Sequence, residues 1–155
     1  MEVLVESFKA VVFRVGAEEF GLHIDQVLSI ERIQPITAVP KMSEHVKGVI
    51  NLRGVITPIV DFRKALLQRE VQENESTRVI VVSIDGNPIG LVVDAATDVI
   101  DIPSDSIHKP TLVEDHEVPF LLGVAKLHDR ILILIDINNL LQDINSINEL
   151  KKLKS

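Results

Sequence analysis

The chain has no cysteine, no tryptophan and no tyrosine among its 155 residues. Without cysteine there are no disulfides, no thiolate metal ligands and no cysteine nucleophile, a composition that fits a reducing compartment. Five phenylalanines are the whole aromatic content, so the 46% hydrophobic fraction is almost entirely aliphatic. A Val/Ile/Leu interior of that kind belongs to packed strands. Long apolar runs are missing too: the longest aliphatic stretch, residues 131–135, is far too short to span a bilayer. Met1-Glu2-Val3-Leu4-Val5-Glu6 carries acids where a signal peptide needs bases, so the expectation is a soluble, cytoplasmic protein with no direct membrane insertion. Positive charge is also scarce. The formal charge of −7 argues against a nucleic-acid partner, because duplex binding draws on a basic face that releases counterions. The one basic cluster, Lys151-Lys152-Leu153-Lys154, is best explained as cations favourably placed at a helix end.

What is present is a repeat. Residues 48–66 hold two β-branched runs, 49–52 and 55–60, broken at Arg53-Gly54, where glycine permits the positive φ of a tight hairpin turn. Asp61 follows as an N-cap, its carboxylate placed to accept from the first N–H groups of a short helix over 62–67. The pattern returns without a gap 75 positions later, over residues 123–141, with Gly123, Val124, Leu127 and Asp136 on Gly48, Val49, Leu52 and Asp61. A second match precedes each copy at an offset of 69: Phe20-Gly21-Leu22-His23-Ile24-Asp25 over Ile89-Gly90-Leu91-Val92-Val93-Asp94, with Val27 and Ile30 over Ala96 and Val99. One unit of about 70 residues is therefore used twice. Halves that small bury only about 60% of their unfolded surface alone, so a shared interior is expected. Residues 1–155 are read as a single domain of two repeated units, roughly 8–67 and 78–141, with exchange of strands between them left open.

Along the chain, 8–15 and 20–24 form a first hairpin, and 78–84 and 89–93 its second copy around Asp85-Gly86-Asn87. Residues 25–31 fit either a helical turn or a strand. Pro35 and Pro40 bracket an extended segment, 36–39, which prolines confine to an edge or a loop, and edges are where partner chains add on. Residues 43–47 are expected to form a helical turn and 68–76 an exposed linker. Leu141, Ile144, Ile147, Leu150 and Leu153 recur every three residues, predicting an amphipathic C-terminal helix over 138–154.

Chemistry is hard to find. The five histidines, His23, His45, His108, His116 and His128, include no pair at i, i+4, and Glu114-Asp115-His116-Glu117 is most simply a solvated loop. No serine sits in a glycine-flanked elbow and no glycine-rich loop precedes a lysine, so neither a catalytic site nor a cofactor is expected. Asp61 with Asp136, and Asp25 with Asp94, occupy equivalent places where the chain changes direction, so capping or turn closure explains them better than acid–base work. A small hydrolase using Asp61 or His116 is the remote enzymatic alternative. The copies differ at the hairpin turn, where Arg53-Gly54 is replaced by His128-Asp129. A planar five-donor guanidinium there suits either one of the chain's own carboxylates or a partner protein.

The stretch from Val46 to Arg63, Val-Lys-Gly-Val-Ile-Asn-Leu-Arg-Gly-Val-Ile-Thr-Pro-Ile-Val-Asp-Phe-Arg, resembles the signature of the CheW family of bacterial chemotaxis coupling proteins. The likeness runs from about Phe8 to Leu141. It implies a mainly β fold, two intertwined five-stranded barrels of the Src-homology type around a shared hydrophobic core. It also implies a non-catalytic scaffold that bridges the cytoplasmic tips of methyl-accepting receptors to the regulatory domain of the histidine kinase CheA. In similar proteins the receptor tip lies in a groove between the barrels, matching Val27, Ile30, Arg53 and Val99 here. The kinase face matches the segment from Ile33 to Gly48, with Ile33, Ile36, Val39 and Gly48 as its candidates. One departure stands out: Ser29 occupies a position where many relatives carry a receptor-binding glutamate, and Glu31, on the same face of a strand, is the candidate substitute. A protein that is monomeric when free is the simplest expectation. A coupling paralogue serving a sensory kinase outside chemotaxis is the alternative.

Overall fold

The structure, a computed structural model, describes residues 7–40, 46–67, 74–109 and 121–143. Its strands are β1 (Ser7–Val15), β2 (Glu18–His23), β3 (Val27–Arg32), β4 (Val46–Leu52), β5 (Val55–Asp61), β6 (Arg78–Ile84), β7 (Asn87–Val93), β8 (Ala95–Pro103), β9 (Ile107–His108), β10 (Leu121–Leu127) and β11 (Arg130–Ile135). Two short helices follow β5 and β11: α1 (Phe62–Leu67) and α2 (Ile137–Asp143). The fold is mainly β. One mixed sheet has six strands in the order β8-β1-β2-β11-β10-β9, and the other has five in the order β3-β6-β7-β5-β4.

Strand registers repeat with the offsets found in the sequence. The parallel contact of β5 with β7 sets Ile59 against Gly90, and that of β11 with β2 sets Leu134 against Gly21. The bulge between Val46 and Gly48 in β4 recurs between Leu121 and Gly123 in β10. Leu28 is skipped where β3 meets β6, and Thr97 where β8 meets β1. The glycines follow the same rule, since a Cβ on Gly21 would meet Leu134 Cδ2 at 2.8 Å and one on Gly90 would meet Ile59 Cδ1 at 2.6 Å. Each sheet nevertheless draws strands from both halves of the chain: the six-stranded sheet contains β1 and β2, and the five-stranded sheet contains β6 and β7. The sixth strand is the two-residue β9, whose counterpart in the other sheet is the isolated bridge of Thr37 with Val49.

Alternation along the strands sorts the interior into three clusters, because successive side chains leave opposite faces. Ala10, Val12, Ile102, Ala125, Leu132 and Leu134 fill the hollow of the six-stranded sheet. Ile50, Leu52, Ile59, Val79, Val81 and Val92 fill that of the other, with Ile33 and Ile36 packed on them. Between the sheets lies the largest cluster, built from Val11, Phe13 and Val15 of β1, Ile80, Val82 and Ile84 of β6, Ile135 of β11, and Phe62 and Leu140 of the two helices. β1 and β6 are thus buried on both faces, which explains their nearly continuous apolar sequences.

Both hairpin and cap follow the sequence. Arg53 (φ 51°) and Gly54 (φ 88°) are both left-handed, the requirement of a two-residue turn whose twist matches its strands, and Asn51 Oδ1 accepts from Gly54 N at 2.8 Å. Asp61 Oδ1 accepts from Arg63 N (3.1 Å) and Lys64 N (3.3 Å), and Asp136 Oδ1 accepts from Asn138 N at 3.0 Å. Three local expectations change. Val46 and Lys47 are not helical but begin β4, because Val46 pairs with Val60 and is buried in the central cluster. The Asp85 turn is two residues long, with Asn87 already in β7. The last part of the expected linker is an ordered turn, with Asn74 Oδ1 accepting from Ser76 N at 2.8 Å and Thr77 Oγ1 accepting from Asn74 N at 2.9 Å. Residues 41–45, 68–73, 110–120 and 144–155 lie outside the described residues, and with them most of the helix expected over 138–154, the cluster 114–117 and His116.

Candidate protein-docking site

Arg53 sits at the tip of the β4–β5 turn, and its side chain is 69% exposed. Its guanidinium reaches across to β3, where Nη2 donates to Glu31 Oε2 at 2.8 Å and Nη1 to Glu31 Oε1 at 3.4 Å. Because β3 and β4 are the two outer strands of the five-stranded sheet, this pair links the sheet's opposite margins. The Arg53 hydrogen bonds hold the Glu31 carboxyl below its ordinary range, with a smaller contribution from the Ser29 side chain, and raise Arg53 in turn. Of the two fates open to Arg53 in the sequence, the pairing with a carboxylate of its own chain is therefore realised, and Glu31 supplies it.

Several aliphatic side chains of the same sheet are also open to solvent. Leu28 and Ile30 of β3 and Val55 and Ile56 of β5 are exposed, Ile30 by 42%. A left-handed arginine carries backbone strain, and such strain persists where surrounding contacts over-determine it. Val27 differs from its neighbours: it is half-buried and packs against the central cluster. Val99 is 51% exposed on β8 of the other sheet, at the position equivalent to Ile30. The structure thus joins Glu31 and Arg53, leaves Ile30 exposed on the same strand as Glu31, sets Val27 against the central cluster and carries Val99 on the other sheet.

The second group of candidates is built differently. Ile33 and Ile36 point into the five-stranded sheet, and Val39 is half-buried. Thr37 exchanges two backbone hydrogen bonds with Val49, both 2.9 Å. Gly48 makes that approach possible, since a Cβ there would lie 2.0 Å from Thr37 O, and its φ of +145° suits glycine alone. Gly48 is accordingly buried, while Thr37 and Ala38 form the exposed surface of the segment. These contacts fix it alongside β4 as an added edge of the five-stranded sheet.

Sequence reasoning missed two arginines. Arg63 is fully buried and joins two acids that the repeat assigns to different pairs: Nε donates to Asp61 Oδ1 at 3.1 Å and Nη1 to Asp94 Oδ1 at 3.5 Å. Asp94 also accepts from Gly16 N at 2.6 Å, closing the β1–β2 turn, and Lys47 lies 3.7 Å from Asp61. Both carboxylates are engaged in structure. Arg130 clamps Glu19 and Asp98, and its signal was Asp98 itself, 69 positions after Ser29. Among the described residues no three His, Asp or Glu side chains converge as metal ligands, and no helix is long and apolar enough to cross a membrane.

The family model for the CheW-like domain matches residues 9–145 of the chain. The chain belongs to the CheW family of chemotaxis proteins. It is 37% identical over 131 residues to the chemotaxis protein CheW of Klebsiella aerogenes, covering 84% of this chain and 79% of that protein. To the chemotaxis protein CheW of Bacillus subtilis it is 37% identical over 134 residues, 86% of each chain. The crystal structure of the scaffolding protein TtCheW from Thermoanaerobacter tengcongensis superposes with a TM-score of 0.79 at 35% identity, covering 88% of this chain and 93% of that one. The CheW family is one of scaffolding proteins and not of enzymes.

Proposed function

We propose that the chain is a cytoplasmic scaffold, monomeric when free, that couples the tips of methyl-accepting chemotaxis receptors to the regulatory domain of the kinase CheA. The observation that carries this reading is the CheW-like match over residues 9–145, together with the Arg53–Glu31 pair and the exposed aliphatic side chains of β3 and β5. An apolar surface rimmed by a charged pair suits an amphipathic helix, the form in which a receptor tip would present itself. Val27, Ile30, Arg53 and Val99 form the receptor side of this reading. Glu31 takes over from the absent glutamate at Ser29, because it is Glu31 that engages Arg53. The kinase side is the segment held down by Ile33, Ile36, Val39 and Gly48, whose exposed Ala38, next to the bonded Thr37, offers a strand-like edge to a partner.

Two independent faces make a bridge, since tethering both partners raises their effective concentration without any new contact. The test is a pair of affinities, for a receptor-tip fragment and for the kinase regulatory domain, measured on three variants. Ile30→Asp and Val99→Asp are expected to weaken binding of a receptor-tip fragment and leave the kinase regulatory domain bound, while Ala38→Glu does the reverse. If each variant weakened both partners alike, the two-face reading would be wrong.

A further inference from the structure

Arg130 opens β11 and is committed on two sides. Nε and Nη2 donate to Glu19 Oε1 and Oε2, each at 3.1 Å, while Nη1 and Nη2 donate to Asp98 Oδ2 and Oδ1, each at 3.2 Å. Both carboxylates are gripped in the forked geometry that only arginine offers. Asp98 lies within β8, the outermost strand of the six-stranded sheet, and directly precedes Val99. Thr97, skipped in the pairing with β1, donates its hydroxyl to Asp98 Oδ1 at 2.9 Å. The strand is therefore bulged on one side of Asp98 and exposed at Val99 on the other, and the Arg130 clamp holds it between.

Duplication gives this clamp a counterpart. Asp98 occupies in β8 the place of Ser29 in β3, and Arg130 follows the β10–β11 turn as Val55 follows the β4–β5 turn. Each sheet thus carries an acid on its outer strand tied to an arginine at its long hairpin: Glu31 with Arg53, and Asp98 with Arg130. The same two equivalent positions are exposed aliphatics in each sheet, Ile30 and Ile56 in one, Val99 and Ile131 in the other. The pairs differ in availability. Arg53 has one carboxylate and a side chain 69% exposed, whereas Arg130 has two carboxylates and a side chain 30% exposed. Isolated exposed ion pairs contribute little, but a partly buried bidentate network fixes geometry.

We propose that Arg130 is a positioning residue for receptor binding: through Asp98 it fixes the outer edge of β8 and so sets how Val99 faces the receptor. This rests on the assignment of Val99 to the receptor face. With its donors directed at Glu19 and Asp98, Arg130 acts through β8 and not by touching the receptor.

The experiment compares Arg130→Gln, Arg130→Lys, Asp98→Asn and Val99→Ala in the full chain. It reads affinity for a receptor-tip fragment, affinity for the kinase regulatory domain, and the Val99 methyl shifts and amide exchange of residues 97–100 in the free protein. Arg130→Gln is expected to move the Val99 methyls, speed exchange along β8 and weaken the receptor fragment about tenfold, the scale of a lost network contact, with kinase affinity unchanged. Arg130→Lys recovers only part of this, since an ammonium cannot grip two carboxylates in the same way. Asp98→Asn keeps the Glu19 arm, so it reports on β8 even if Arg130→Gln folds poorly. Unchanged receptor affinity in Arg130→Gln and Asp98→Asn beside a weakened Val99→Ala would overturn the proposal. If Val99→Ala itself bound normally, the receptor face would be misassigned and the proposal would fall with it.

Discussion

Replacing Gly48 by alanine is the sharpest perturbation available to the 36–39 segment. The new Cβ would stand 2.0 Å from Thr37 O, 2.8 Å from Thr37 C and 3.0 Å from Ala38 Cα, all backbone atoms that no rotamer change can clear. The segment must lift, and its two 2.9 Å hydrogen bonds between Thr37 and Val49 are lost. Each such bond contributes about 0.5–1.5 kcal/mol net. A side chain forced into a glycine-only region at φ +145° adds roughly 1–3 kcal/mol. The expected loss for Gly48→Ala is therefore about 2–6 kcal/mol by these terms. Gly54→Ala is the natural comparison, because its Cβ would meet nothing within 4 Å and only the strain of φ +88° remains, about 1–2 kcal/mol. With no tryptophan or tyrosine to report by fluorescence, the assay is urea unfolding followed by far-ultraviolet circular dichroism. A loss for Gly48→Ala no larger than for Gly54→Ala would refute the reasoning that close approach, and not backbone freedom alone, demands this glycine.

Phe13 packs on Phe20 and Phe62 at centroid distances of 5.6 and 5.5 Å in the cluster between the sheets, so Phe13→Ala should cost about 3–5 kcal/mol in the same unfolding assay. Arg63→Met removes the buried cation from Asp61 and Asp94, and a loss of about 3–5 kcal/mol is expected where one partner of a buried pair is deleted; a neutral result would show that the cluster does not hold the fold. Arg130 bonds lower the Asp98 carboxyl from its ordinary 3.8, so the stability it contributes is present above that value and disappears as pH falls through the lowered one. The urea midpoints of the unmodified chain and Arg130→Gln should accordingly differ most near neutral pH and converge in strong acid, and a gap that widened in acid would contradict the assignment. For Glu31, held down chiefly by Arg53, carboxyl titration by NMR is expected below the ordinary 4.5 and back towards it in Arg53→Ala.

Local signals were legible where a single residue decides the backbone. Gly54 set the hairpin, and Asp61 and Asp136 set the starts of α1 and α2. The duplication was legible because both copies kept the glycines at close approaches, Gly21 with Gly90 and Gly48 with Gly123. The placement of strands was not, because a continuous apolar run shows that a strand has two buried faces without naming its neighbours. Val11 and Val12 read alike in sequence and pack into different clusters. Among the site residues, Glu31 was within reach because strand alternation put it on the face of Ser29. Arg63 was not, since its two partners lie 2 and 31 positions away and a buried arginine next to a helix start looks like an exposed one. Val46 and Lys47 were misread as helical because their short polar surroundings hide the pairing with β5 that makes them strand.

The central claim is that two partners occupy two separate faces of this chain, and one titration tests it most directly. The isotope-labelled chain is saturated with the regulatory domain of its histidine kinase and followed by NMR, and a receptor-tip fragment is then added. The account predicts that the first addition shifts residues of the 33–40 segment and β4 while leaving Ile30, Arg53 and Val99 in place, and that the second shifts those three without displacing the kinase. No response to saturating kinase domain, or release of the kinase when the receptor fragment arrives, would contradict it.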